Sequence, residues 1–160
     1  MGVGIAAPYN KYDILDASIQ RIGDLKKAPI KDDKDKKKEA GNSGMWSKIK
    51  DILRKINILN KDSRAKEEPY HQIWHDTLRR HNQMVCMKFQ SKEGGEKSTP
   101  FVVGTYHMPC AFRTPVLMMI HCALSAQNIH SFSKDAPYVF CGDFNIKPDS
   151  TMYNMMTTGL

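Results

Sequence analysis

The sequence predicts an α/β domain, and three stretches carry that expectation. A hydrophobic run, Tyr138-Val139-Phe140, empties directly into an acid, an amide and a proline turn in CGDFNIKPDS, residues 141–150. A second apolar run, FVVGTYHMPC (residues 101–110), delivers Tyr106 and His107 at its end before Pro109 turns the chain. Between them lies TPVLMMIHCALSAQNIHS (residues 114–131), a strongly apolar helical stretch whose Pro115 fits the first turn. Strand, helix and strand in that order build open α/β sheets, which gather their chemistry beyond the carboxyl ends of the strands.

The other elements follow in chain order. Residues 2–6 read as a strand and residues 12–22 as its hairpin partner, with Pro8, Tyr9, Asn10 and Lys11 making the turn. A helix is expected over residues 71–80, then strands over 84–89 and 101–106 joined by a turn at Gly94-Gly95. In the helix over 114–131, Leu117, Ile120, Leu124 and Ile129 face the sheet. After the last strand, Asp149 or Ser150 caps a short helix that packs Tyr153 and Met156 at i, i+3 spacing. There is no internal repeat.

The 160 residues, 41% of them hydrophobic, can bury one core of ordinary size. The formal charge of +7 is local rather than general. Residues 26–66 hold fourteen Lys or Arg against six Asp or Glu, which leaves ten basic against eleven acidic groups elsewhere. This basic insertion opens with a polar, lysine-rich tract, residues 26–44, that has almost nothing to bury and is expected to be disordered. Residues 45–59 differ: Trp46, Ile49, Ile52, Leu53 and Ile56 recur at helical spacing opposite Lys48, Lys50, Arg54 and Lys55. That pattern predicts a basic amphipathic helix. It could clamp a nucleic-acid backbone, touch an anionic membrane surface, or cover the rim of its own domain.

Asp143 and Asn145 are the candidate reactive pair, because alternation at a strand end sends both side chains towards one cleft. A carboxylate there can take a proton from water or hold a divalent cation, and the neighbouring amide can orient a phosphate oxygen without repelling it. The competing reading is an Asx turn, in which both side chains bond their own loop backbone.

Taken together, GDFN-x-x-P-x-S-x-x-Y (Gly142, Asp143, Phe144, Asn145, Pro148, Ser150, Tyr153) and the TYHMP strand end resemble the endonuclease/exonuclease/phosphatase superfamily, particularly its deadenylase, nocturnin and angel-like branch. The resemblance covers most of residues 1–24 and 70–160 and implies part of a four-layer αββα sandwich, incomplete at both ends. It implies a hydrolase using Mg²⁺ or Mn²⁺ on phosphodiesters of nucleic acid, RNA favoured over DNA. By the same resemblance, Asp143 activates the attacking water and serves as a metal ligand, Asn145 holds the phosphate or that water, and His107 contacts the scissile phosphate. Asn82, in RRHNQM, resembles a substrate-binding position near the site.

The chain also departs from that pattern. Complete members carry a metal-binding glutamate on a strand before the GVGIA-like strand and an Asp-His pair near the domain's carboxyl end. Here the first glutamate is Glu39, within the lysine-rich stretch, and the last histidine is His130, ahead of GDFN. Two classes of function therefore stand: a Mg²⁺-dependent phosphodiesterase, and a catalytically inactive binding module on the same fold.

Other tempting residues read as structural. His71, His75 and His81 lack a carboxylate placed with them, so helix histidines are expected rather than a zinc site. His121 and His130 read as packed or surface residues of the apolar helix. Cysteines 86, 110, 122 and 141 show no C-x-x-C spacing and read as small buried thiols in a reducing compartment, and the ten Met residues as core filler. No stretch is long enough to span a bilayer, no signal-peptide pattern opens the chain, and Ala6 stands where a myristoylation signal wants Ser or Thr. An intracellular location, cytoplasmic or nuclear, is expected.

Overall fold

The computed structural model describes residues 2–25, 70–93 and 98–158. The expectations for residues 26–66, including the amphipathic helix over 45–59, and for the Gly94-Gly95 turn lie outside the described residues. The elements run β1 (Tyr12–Arg21), a short 3₁₀ turn (Ile22–Asp24), α1 (Tyr70–Leu78), β2 (Gln83–Ser91), β3 (Phe101–His107), α2 (Pro115–Ser133), β4 (Tyr138–Asp143) and α3 (Thr151–Thr158). They form one four-stranded sheet in the order β1-β2-β3-β4, antiparallel across the first two pairs and parallel across the third. A parallel pair needs a crossover, and α2 supplies it.

Two sequence expectations are corrected by this sheet. Residues 2–6 form no strand, although the turn after them does form, with Lys11 N and Tyr12 N donating to Pro8 O at 3.0 and 3.3 Å. Gly2 and Gly4 offer no side chain to pack, and a Cβ at either would touch nothing within 4 Å. β1 pairs instead with β2, from Tyr12 opposite Ser91 to Arg21 opposite Gln83, with a bulge between Ile14 and Asp16.

α2 is apolar all round because it is covered all round. It packs on the sheet face that carries Met84, Cys86, Val102, Gly104 and Tyr106, while α1 and α3 pack against it. Leu117, Ile120, Leu124 and Ile129 are buried as expected, and so are Val116, Met118, Met119 and Cys122. Gly104 makes room for the helix: a Cβ there would stand 2.5 Å from Ile129 Cδ1. The register sends Ala17, Ile19, Val85, Met87, Val103 and Val139 to the opposite face, where Ile19 and Val139 are 69% and 60% exposed.

The short α3 is capped by Ser150, whose Oγ accepts from Tyr153 N at 3.2 Å. The face it packs against the core is the half-buried Met152, Met155 and Met156, so Tyr153, off that stripe, is exposed and does not pack as expected. The thiols also divide. Cys86 and Cys122 are buried, and burial pushes them up to about 11 and about 12. Cys110 and Cys141 are exposed, one in the loop past β3 and the other on the open sheet face. None of the described helices is long and apolar enough to cross a membrane.

One polar group sits at the centre of the helical layer. His121 is fully buried in α2, with Tyr106 Oη donating to its Nδ1 at 2.6 Å and its Nε2 facing Thr77 O on the other side at 3.2 Å. A carbonyl only accepts, so Nε2 carries the proton and Nδ1 receives the tyrosine's. His121 thus ties β3, α2 and α1 together as a neutral imidazole. Burial, aided by the nearby Arg80 charge, lowers its pKa from 6.5 to about 4, against the opposing effect of the Thr77 bond. In the unfolded chain the ring protonates below 6.5, in the folded one only below about 4, so its contribution is complete above pH 6.5 and is lost as pH falls to 4. At 1.36 kcal/mol per pKa unit the loss is on the order of 3 kcal/mol. Urea denaturation from pH 7 to 4 should show this decline, and His121→Phe should flatten it while lowering stability at pH 7.

Candidate functional site

The site forms where β3 and β4 end together. Their parallel register sets Tyr106 opposite Gly142 and His107 opposite Asp143, and Met108 N continues the ladder to Asp143 O at 2.9 Å. The approach is close enough to require glycine. Gly142 has φ 139°, and a Cβ there would lie 2.0 Å from Tyr106 O. That glycine sets the reach of Asp143 towards His107.

All four residues singled out in the sequence come to this end of the sheet. His107 Nε2 and Asp143 Oδ2 are 3.8 Å apart, too far for a hydrogen bond but near enough for an ion pair when the ring is protonated. Asp143 is 67% exposed and His107 29%. Asp143 Oδ1 accepts from Asn145 N at 3.1 Å, so the Asx turn is present. It does not consume the site, because Oδ2 stays free of the loop backbone. Asn145 adopts the left-handed φ of 51° that asparagine tolerates, and its Nδ2 donates to Met108 O at 2.9 Å. Asn82 Nδ2 donates to His107 O at 2.8 Å, while Asn82 O accepts from Ile22 N at 3.2 Å.

Asn82 and Asn145 therefore tie the ends of all four described strands together. Asn82 links β1, β2 and β3, and Asn145 links the β4 loop back to β3. Each amide keeps a second N–H and a carbonyl oxygen for a ligand. A cleft of about 330 Å³ opens beside Asn82 and His107, lined also by Val3, Ile19, His81 and Val85 among others. The sequence reading takes His81 as structural and passes over the adjoining Arg79 and Arg80, although all three line the clefts beside Asn82. The RRHN run was the available signal.

Mg²⁺ binds through one or two carboxylates together with waters and substrate phosphates. Asp143 is suited to be one such ligand. Among the described residues, however, no group of three or more His, Cys, Asp or Glu is placed to hold a metal ion, so these residues do not complete a metal site by themselves.

No protein-family model and no curated protein matches the sequence. The fold does match solved structures. ANGEL2, a 2′,3′-cyclic phosphatase, superposes over 94% of this chain and 30% of its own, with a TM-score of 0.55 and 17% identity. The catalytic domain of human Nocturnin with bound sulfate aligns over 50% of this chain and 29% of that one, at TM-score 0.44 and 16% identity. An endonuclease/exonuclease/phosphatase family protein from Bacteroides thetaiotaomicron aligns over 49% and 27%, at TM-score 0.41 and 15% identity. The chain thus shares an α/β fold with part of ANGEL2 over nearly its whole length. It spans less than a third of the length of the chains it matches.

The Gly142 geometry is directly testable. Gly142→Ala combines a disfavoured φ with contact on the Tyr106 carbonyl and should cost about 2–4 kcal/mol in denaturant titration. Gly4→Ala, in open space, should stay within about 0.5 kcal/mol of the parent.

Proposed function

We propose that this chain forms the β3–β4 half of the active site of a Mg²⁺-dependent (or Mn²⁺-dependent) phosphodiester hydrolase acting on nucleic acid, RNA rather than DNA. The observation that carries the reading is the register pairing His107 with Asp143, with Asn145 and Asn82 bonded into the same strand ends. The fold it shares with ANGEL2, whose solved complexes include adenosine-2′,3′-vanadate, adds support for a nucleotide phosphoester as substrate.

In this reading Asp143 Oδ2 takes the proton of the attacking water, because Oδ1 is already held by Asn145 N and the carboxylate cannot swing away. Asn145 and His107 donate to the phosphate oxygens as charge builds on them. Asn82 positions His107 through the backbone rather than touching substrate through its bonded N–H. A bound divalent cation would neutralise the phosphate charge, with Asp143 as one of its ligands and the others from outside the described residues.

A specific observation also favours the second reading, a binding module without catalysis: among the described residues no group of three or more His, Cys, Asp or Glu gathers at the strand ends to hold a metal ion. Activity separates the two. Residues 1–160 alone should hydrolyse single-stranded RNA feebly or not at all. A polypeptide that adds the glutamate strand and the Asp-His pair should be Mg²⁺-dependent and should lose about a hundred- to thousandfold in rate on Asp143→Ala or Asn145→Ala. Full activity of the Asp143→Ala form would sink the assignment, and inactivity of the completed parent would favour the binding module.

A further inference from the structure

A second cleft, of about 460 Å³, adjoins the one beside His107, and the two share His81 and Asn82. Its walls come from the end of α1, the segment that leads into β2, and the start of α2. Arg79 and Arg80 both line it and are exposed, and neither has a carboxylate partner among the described residues. Asp76 also lines the cleft but is engaged elsewhere, its Oδ1 accepting from Gln72 Nε2 at 3.0 Å and lying 3.9 Å from His75 Nδ1. The balance is two fixed positive charges against one occupied carboxylate. Arginine's planar fork suits phosphate oxygens.

The position of this cleft matters as much as its charge. Asn82 lies in both clefts and bonds the backbone of His107, so a polyanion with one phosphate at His107 and Asp143 has its neighbouring phosphates directed along His81 towards Arg79 and Arg80. We infer that Arg79, Arg80 and His81 form a second phosphate subsite, which engages a backbone phosphate next to the one at the strand ends and selects single-stranded oligonucleotides over mononucleotides. The inference rests on the reading of His107 and Asp143 as the phosphate site. Arginines that follow a helix also complement its negative end. That role affects stability and does not involve an anionic ligand, so the two can be told apart.

The test is binding of a fluorescein-labelled single-stranded 8-mer RNA to residues 1–160 by anisotropy, without divalent cation, over a range of salt concentrations. Arg79→Gln/Arg80→Gln should weaken binding about tenfold at low salt and reduce the slope of log K against log salt by about 0.7, the value for one phosphate contact on a single strand. The charge-matched control is Lys92→Gln/Lys134→Gln, at the opposite end of β3 and β4, near Phe101 and Tyr138. It should leave the slope at the parent value. A slope for the arginine variant equal to the parent's, or a reduction no larger than the control's, overturns the subsite. If the double variant loses its cooperative thermal melt, the same comparison on Arg79→Gln alone decides. Because the readout needs no turnover, loss of slope together with inactivity of the completed polypeptide would count against the catalytic reading only. Hydrolysis that depends on Asp143 with an unchanged slope would count against the subsite only.

Discussion

The parallel pairing of β4 with β3 is the constraint on which the rest of the described structure depends. Two parallel neighbours cannot be joined by a tight turn, so the chain must cross over the sheet, and α2 is that crossing. Once α2 lies on the sheet, both strands end at the same edge, and their last residues, His107 and Asp143, come side by side without any long-range adjustment. Gly142 permits the final approach, where any Cβ would strike the Tyr106 carbonyl. The site is a result of strand topology, and the loop residues refine it.

The helical layer fixes the same edge from behind. Tyr106 is one residue before His107, and its hydroxyl is held by His121, which is held in turn by the Thr77 carbonyl of α1. A buried polar network of this kind leaves little slack, since every displaced member would abandon a partner in a dry interior. Thr77 and Arg79 belong to the same stretch of chain, so the network that steadies β3 also sets where the arginine-lined cleft begins. Rigidity at the strand ends and the location of the basic cleft have a common origin.

Much of this was legible in the residues. β3, β4 and α2 announced themselves because long apolar runs with proline and glycine boundaries have few alternative readings, and the cap of α3 was narrowed to Asp149 or Ser150, of which the structure uses Ser150. Residues 2–6 were misread because an apolar run containing two glycines looks like a strand in isolation but has too little to pack. The partner of β1 was misassigned because the nearest run is the natural guess, whereas the actual one, β2, lies beyond α1. Asp143, Asn145, His107 and Asn82 are singled out by motif, and the structure brings them to one end of the sheet. The bonds that join them to Met108 O and His107 O are tertiary facts that no spacing encodes. Arg79 and Arg80 were in plain sight, but only the end of α1 beside Asn82 gives them a cleft.

The pairing of β1 with β2 carries a kinetic consequence. Sixty-one residues separate Arg21 from Gln83, whereas nine separate Ser91 from Phe101. The entropy of closing the longer loop exceeds that of the shorter by about 1.7 kcal/mol. Folding routes that join β2 to β3 and dock α2 therefore reach a partly built sheet before β1 is recruited. Ile19 of β1 forms one wall of the cleft beside His107. The edge where β3 and β4 end and the wall beside it are thus assembled in sequence, and the cleft beside His107 is the last part of the sheet to be completed.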